Sequence, residues 1–206
     1  MAPKSSLHQI VLASASRARR EMLAAAGVAF TVEAAEIDEP AIRKKLLANA
    51  ETASPVKIAE VLARAKAEDV SRRHPGSLVI GADQVLALGT ELLTKAKDDA
   101  AARATLTKLK GRTHELHSAV ALAEDGKVTW GHAATARLQM RAFSDAFLDE
   151  YLLRAGDRIG QSVGAYELEG PGVQLFERIE GDYFTILGLP LLPLLAELRA
   201  RGMIMA

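Results

Sequence analysis

Cysteine is absent from the chain. That excludes disulfides, thiolate catalysis and Cys-ligated zinc. Aromatic residues make up only 4% of a sequence that is 49% hydrophobic, so its core must be aliphatic. With so few rings there is no basic stripe interleaved with stacking side chains, and stable nucleic-acid binding is not expected. Neither sign of charge is in excess, with 26 Lys and Arg against 26 Asp and Glu. No global field draws the chain to an anionic polymer or membrane, and any phosphate must be held by local clusters. Long hydrophobic runs are missing too: the longest, residues 186–195, contains Pro190 and Pro193 and is too short for a bilayer. The N-terminus has no long apolar segment of the secretory type, so a soluble cytoplasmic protein is expected. The histidines, His114 and His117 included, lack metal-ligand spacing and read as structural or exposed.

What is there reads as one α/β domain over residues 1–206. Strands are expected at 9–13, 30–34, 78–82, 113–124, 127–140 and 174–179. Helices are expected at 17–26, 41–48, 55–71, 99–109, 144–153 and 190–201. Strands alternating with helices indicate a mixed sheet with flanking helices. Gly111 falls at a helix C-terminus and Ser144 at an N-cap.

The richest stretch runs from Leu12 to Arg20, through Ser14, Ser16, Arg17 and Arg19. A buried strand, a hydroxyl-bearing turn and a helix N-terminus in succession offer unpaired N–H groups and a positive dipole end. Serines and arginines placed there form a phosphate cradle. Asp83 follows the apolar strand 78–82, and sites in open α/β sheets lie beyond strand carboxyl ends. It reads as a metal ligand or a base acting on water, or else as a turn cap. Glu36, Asp38 and Glu39 cluster after another strand and suit a hard cation or a solvated loop. Lys66 and Lys95 read as phosphate-pinning point charges or as surface lysines. The block 164–172 is dense in glycine, which lets backbone approach a ligand closely.

Taken in order, these segments resemble the Maf family of nucleotide pyrophosphatases, once described as septum-formation inhibitors. The markers are the 12–23 opening, Asp38-Glu39, Leu62-Ala63 with Lys66-Ala67, and Gly81-Ala82-Asp83. They continue with Lys95, Gly111 with Thr113-His114, Gly164-Ala165-Tyr166, Ile179 to Tyr183, and Gly188 to Leu191. The resemblance covers almost the whole chain. It implies a two-lobed mixed α/β fold with a central cleft, similar to that of the inosine-triphosphate pyrophosphatases. It implies hydrolysis of a nucleoside triphosphate to monophosphate and pyrophosphate with a divalent metal, Mg²⁺ or Mn²⁺. Carried over, the phosphate turn matches Ser14, Ser16 and Arg19, the catalytic and metal-binding carboxylates match Glu39 and Asp83, and the cleft lysines match Lys66 and Lys95. No membrane is implied, and a homodimer is left open.

Several positions depart from the family pattern. The usual opening is S-x-S-P-R-R; here Arg17 replaces the proline and Ala18 the first arginine, so that one phosphate contact is lost or is taken over by Arg17 or Arg20. Ala96 stands where proline usually follows the lysine. Gln84 replaces a common threonine after Asp83, and Glu169 replaces a common glutamine. The last two resemble the 7-methyl-GTP branch of the family rather than the dTTP/UTP branch, and mark Gln84 and Glu169 as substrate-binding. An ionised carboxylate accepts both N1–H and the 2-amino group of guanine, whereas a pyrimidine would set a carbonyl against it. The expectation is a pyrophosphatase for a guanine-type nucleotide. The alternatives are a dTTP/UTP pyrophosphatase, or a nucleotide-sensing regulator of cell division without significant turnover.

Overall fold

Two strands carry the architecture. β1 (Ile10–Ala13) is short and wholly buried, while β3 (Leu78–Leu88) is buried through almost all of its length. The computed structural model describes residues 9–49 and 53–205. β1 lies parallel to both β2 (Thr31–Val32) and β3. Beyond β3 the sheet turns antiparallel, through β5 (Thr113–Glu124), β6 (Lys127–Met140) and β7 (Phe176–Glu180). β4 (Glu91–Leu93) folds back on the end of β3, making a seven-stranded mixed sheet. Asp125 and Gly126 join β5 to β6, both at positive φ, as a two-residue type I′ hairpin requires.

Side-chain alternation gives the sheet two different faces. On one face, Leu12, Ile80 and Leu122 pack with α1 (Arg17–Ala25) and α7 (Leu191–Ala200). Further along the same face, Leu86, Leu116 and Leu138 pack with α4 (Asp99–Leu109) and α5 (Asp145–Ala155). These are two aliphatic cores on one sheet. A fully buried leucine contributes roughly 1.5–3 kcal/mol, so aromatic scarcity is no handicap. Between the cores lies a polar seam, where Gln84 and Ser118 sit opposite one another on β3 and β5 and reach α6 (Tyr183–Ile186).

The other face is covered by α3 (Pro55–Arg73), whose Ile58, Ala59, Leu62, Ala63 and Ala67 cluster with Val85, Ala119, Ala121 and Ala123. The approach is close: a Cβ on Gly81 would lie 2.2 Å from the Ala63 carbonyl oxygen. Only glycine permits this, and the contact seats α3 so that Lys66 comes over the strand. α2 (Glu39–Leu47) starts two residues before its expected position, with Asp38 as N-cap. β4, α6 and the 3₁₀ turns at Gly156–Gln161 and Pro171–Leu175 were not expected; all are too short for a periodicity to register.

One expectation is corrected. β3 does not end before Asp83 but continues to Leu88. Asp83 and Gln84 break the apolar run in sequence, yet tertiary partners satisfy both, so the ladder continues through them.

Candidate active site

The crevice forms where β1 leaves the sheet. β1 pairs with β3 as far as Ala13 and Gly81, and β4 joins the same strand from Leu86. Between these contacts one edge of β3 is open, and the chain after β1 turns away there into the Ser14–Ser16 loop. Asp83 lies on this open stretch. The site therefore sits beyond the carboxyl end of a strand, as expected for such sheets, but the strand is β1 rather than β3.

The turn is organised by its hydroxyls. Ser16 caps α1, its Oγ accepting from the Arg19 N–H at 3.4 Å. Ser14 Oγ accepts from the Ser16 N–H and from Arg19 Nη1, both at 3.2 Å. Arg19 is buried. Its Nε donates to the Gly188 carbonyl at 2.8 Å and its Nη1 to the Ala82 carbonyl, on the open edge of β3, at 2.9 Å. Burial lowers its pKa, opposed by the charges of Asp83 and Glu39. Among the described residues its Nη2 makes no hydrogen bond. Arg19 is thus both a structural tie and a cation facing two carboxylates.

Across the crevice, Asp83 is buried and points toward α3. Lys66 Nζ donates to Asp83 Oδ1 at 2.7 Å and lies 2.8 Å from Glu39 Oε1. Burial pushes the Glu39 carboxyl up, but the hydrogen bond and charge of Lys66, with Arg43 and Arg19, outweigh it and hold the group below the usual carboxylate range. Lys95 makes no ion pair among the described residues. Burial lowers its pKa, and Arg19 and Lys66 lower it further against the pull of Glu39 and Asp83. The five expected groups Arg19, Glu39, Lys66, Asp83 and Lys95 therefore share one electrostatic neighbourhood.

Other expectations come apart in space. The acidic cluster divides: Asp38 is a helix cap, Glu36 pairs with Arg73 on the outside, and only Glu39 enters the crevice. Arg17, one candidate for the missing arginine's contact, donates from Nη2 to Glu167 Oε1 at 3.1 Å. Arg20 is exposed. Gln84 leaves β3 on the face opposite Asp83. Its Nε2 donates to Ser118 Oγ and to the carbonyls of Thr185 and Ile186, so its donor end is engaged by the seam. Glu169 is exposed and makes no ion pair among the described residues. His114 is structural as expected, buried against the Tyr166 hydroxyl, with its pKa lowered to about 4 by burial.

One participant was missed. Arg43 on α2 places Nη2 3.4 Å from Asp83 Oδ2 and 4.0 Å from Glu39 Oε2. The spacing of Glu39 and Arg43, four residues apart on one helix, was the available signal.

The comparisons with known proteins bear on the whole chain. The profile of the family described as Maf-like protein matches residues 9–201. A protein of Brucella abortus named 7-methyl-GTP pyrophosphatase is 52% identical over 191 residues, 93% of this chain and 95% of that one. A Bradyrhizobium diazoefficiens protein named nucleoside triphosphate pyrophosphatase is 54% identical over 195 residues, 95% of each chain. A Paramagnetospirillum magneticum protein with the same name is 52% identical, covering 93% of this chain and 98% of its own. Matched from β1 through α7 by one profile, and at half identity or more by relatives of nearly equal extent, the chain belongs to the Maf-like protein family.

Proposed function

We propose that this protein is a nucleoside-triphosphate pyrophosphatase that cleaves between the α- and β-phosphates and prefers a guanine-type base such as that of 7-methyl-GTP. The observation that carries the reading is a buried carboxylate, Asp83, bound to Lys66 and sharing one crevice with the α1 N-terminus and the cations Arg19 and Lys95. The names of the relatives agree with it.

The residues divide the work by position. Ser14, Ser16 and the N-terminal N–H groups of α1 bind phosphate oxygens. Arg19 and Lys95 add positive charge where pyrophosphate departs. Asp83, shielded from bulk water, orients and deprotonates the water attacking the α-phosphorus. Before nucleotide binds, Lys66 holds the Asp83 carboxylate in place, and its ammonium is a further point charge for the incoming polyphosphate.

A divalent cation fits the donor set. One ammonium already bridges Glu39 and Asp83, so a single Mg²⁺ or Mn²⁺ could be held by both. Among the described residues no group of three His, Cys, Asp or Glu side chains could hold a metal ion. Phosphate and water would complete the shell, as Mg²⁺ commonly requires. When bound it would neutralise phosphate charge and polarise a phosphoryl oxygen.

The direct test is product analysis with purified protein, MgCl₂ or MnCl₂ and a panel of 7-methyl-GTP, GTP, dTTP and UTP. Monophosphate and pyrophosphate are expected. Diphosphate with orthophosphate would overturn the cleavage site, and no turnover on any nucleotide would favour a sensing protein.

Base choice is assigned to Glu169, which is exposed and available to accept both guanine donors. Glu169→Gln is expected to shift the kcat/KM ratio of 7-methyl-GTP over UTP by about tenfold toward UTP, since one matched bidentate contact is worth roughly 1–3 kcal/mol. Equal changes on all substrates would relieve Glu169 of that role.

A further inference from the structure

The carboxylates of the crevice are already paired with cations. Lys66 Nζ contacts one oxygen of Asp83 and one of Glu39, at 2.7 and 2.8 Å. Arg43 Nη2 faces the other oxygen of each, at 3.4 and 4.0 Å. Each carboxylate is thus in contact with the same two cations, with the charges of Arg19 and Lys95 close by. The group runs from an enclosed end to an open one: the side chains of Asp83, Lys66, Arg43 and Glu39 are 6%, 12%, 22% and 38% exposed. A divalent ion between Glu39 and Asp83 would compete directly with both side chains. At separations of a few ångströms in a partly buried site, that like-charge repulsion is strong enough to decide occupancy.

We propose that Lys66 and Arg43 are built-in counter-ions that keep a divalent cation off Glu39 and Asp83 until a triphosphate draws both side chains onto its own oxygens. The cation then enters with the nucleotide and not before it. This rests on reading the crevice as a polyphosphate site. Arg43 can make the exchange cheaply, because α2 has no fully buried residue and carries the arginine on a long flexible stem. Lys66 has the reach of a four-carbon stem and needs only to turn from carboxylate to phosphate. The arrangement also explains why Arg43 stands one helical turn after Glu39: the same element presents a ligand and the charge that guards it.

The test is a titration of nucleotide-free protein with MnCl₂, reading free Mn²⁺ by electron paramagnetic resonance. Lys66→Gln and Arg43→Gln are each expected to bind Mn²⁺ about tenfold or more tightly than wild type, because a repelling unit charge has gone. Adding Glu39→Gln to Lys66→Gln should abolish the gain. Thermal melts establish that each variant is folded, and Arg43→Gln, at the less buried position, carries the test alone if Lys66→Gln does not fold. Wild type binding Mn²⁺ as tightly as both variants would overturn the proposal. So would a gain that survives Glu39→Gln, since the ion would then lie elsewhere. The result is separable from the reaction assignment. Pyrophosphate release by wild type without any gain in the variants sinks the counter-ion role alone. A gain without any turnover supports that role and sinks the reaction.

Discussion

Asp83→Asn is expected to lower kcat by about two to four orders of magnitude, the range for loss of a general base or of a metal-activated step. The substitution keeps the shape of the side chain and removes only its charge and basicity. The new amide could still accept from Lys66 through its carbonyl oxygen, and Lys66 would keep Glu39 as a partner at 2.8 Å. Arg43 would lose its nearer carboxylate. The fold should therefore survive while the chemistry does not. Pyrophosphate release at saturating nucleotide measures the effect, and circular dichroism with a thermal melt checks the fold. Turnover within about tenfold of wild type in a folded Asp83→Asn protein would place the reacting water elsewhere, because a base or metal-held step contributes more than that.

Arg19→Met is expected to lower stability by about 3 kcal/mol, since each buried acceptor left without its donor costs roughly 1–3 kcal/mol. The guanidinium joins three parts of the chain: the Ser14 hydroxyl, the Ala82 carbonyl on the open edge of β3, and the Gly188 carbonyl after α6. Methionine fills a similar space and supplies no donor. For a domain of this size the loss corresponds to a Tm lower by roughly 6–12 °C. Arg19→Lys should recover only part of it, because one ammonium cannot reproduce the fork that reaches Gly188 and Ala82 together. Thermal and urea denaturation of the three proteins measure this. A Tm for Arg19→Met matching wild type would mean that the guanidinium does not tie the crevice walls and serves phosphate alone. Such dual service has a physical logic: a cation already fixed by two carbonyls presents its remaining N–H groups in one geometry, with little entropy left to lose on binding.

Local pattern was enough for much of the fold. The two long strands β5 and β6 have the bounds read from sequence, because their alternation is uninterrupted and Asp125-Gly126 marks the turn between them. Ser16, Ser54, Asp98 and Ser144 each cap a helix through a hydroxyl or carboxylate, a contact that needs only three residues of chain. The extent of β3 was not legible. Asp83 and Gln84 look like the end of a buried strand until their partners from α3, β5 and α6 are seen.

The candidate site divides in the same way. Residue types and order were sufficient to name Ser14, Ser16, Arg19, Glu39, Lys66, Asp83 and Lys95 as a group, through resemblance to a family to which the chain does belong. Which of Glu36, Asp38 and Glu39 enters the crevice depended on where α2 begins, and Asp38 was taken by the cap. That Arg17 turns to Glu167, 150 residues away, was decided by where the tertiary fold brings the loop between the two 3₁₀ turns. That Arg43 reaches Asp83 across 40 residues was decided by the seating of α2 against α3 and the open edge of β3. Periodicity and capping act over a few residues and so are written in the sequence itself. Ion pairs between distant elements act over ångströms of space, and the distances that select one carboxylate and one arginine exist only once the helices have docked.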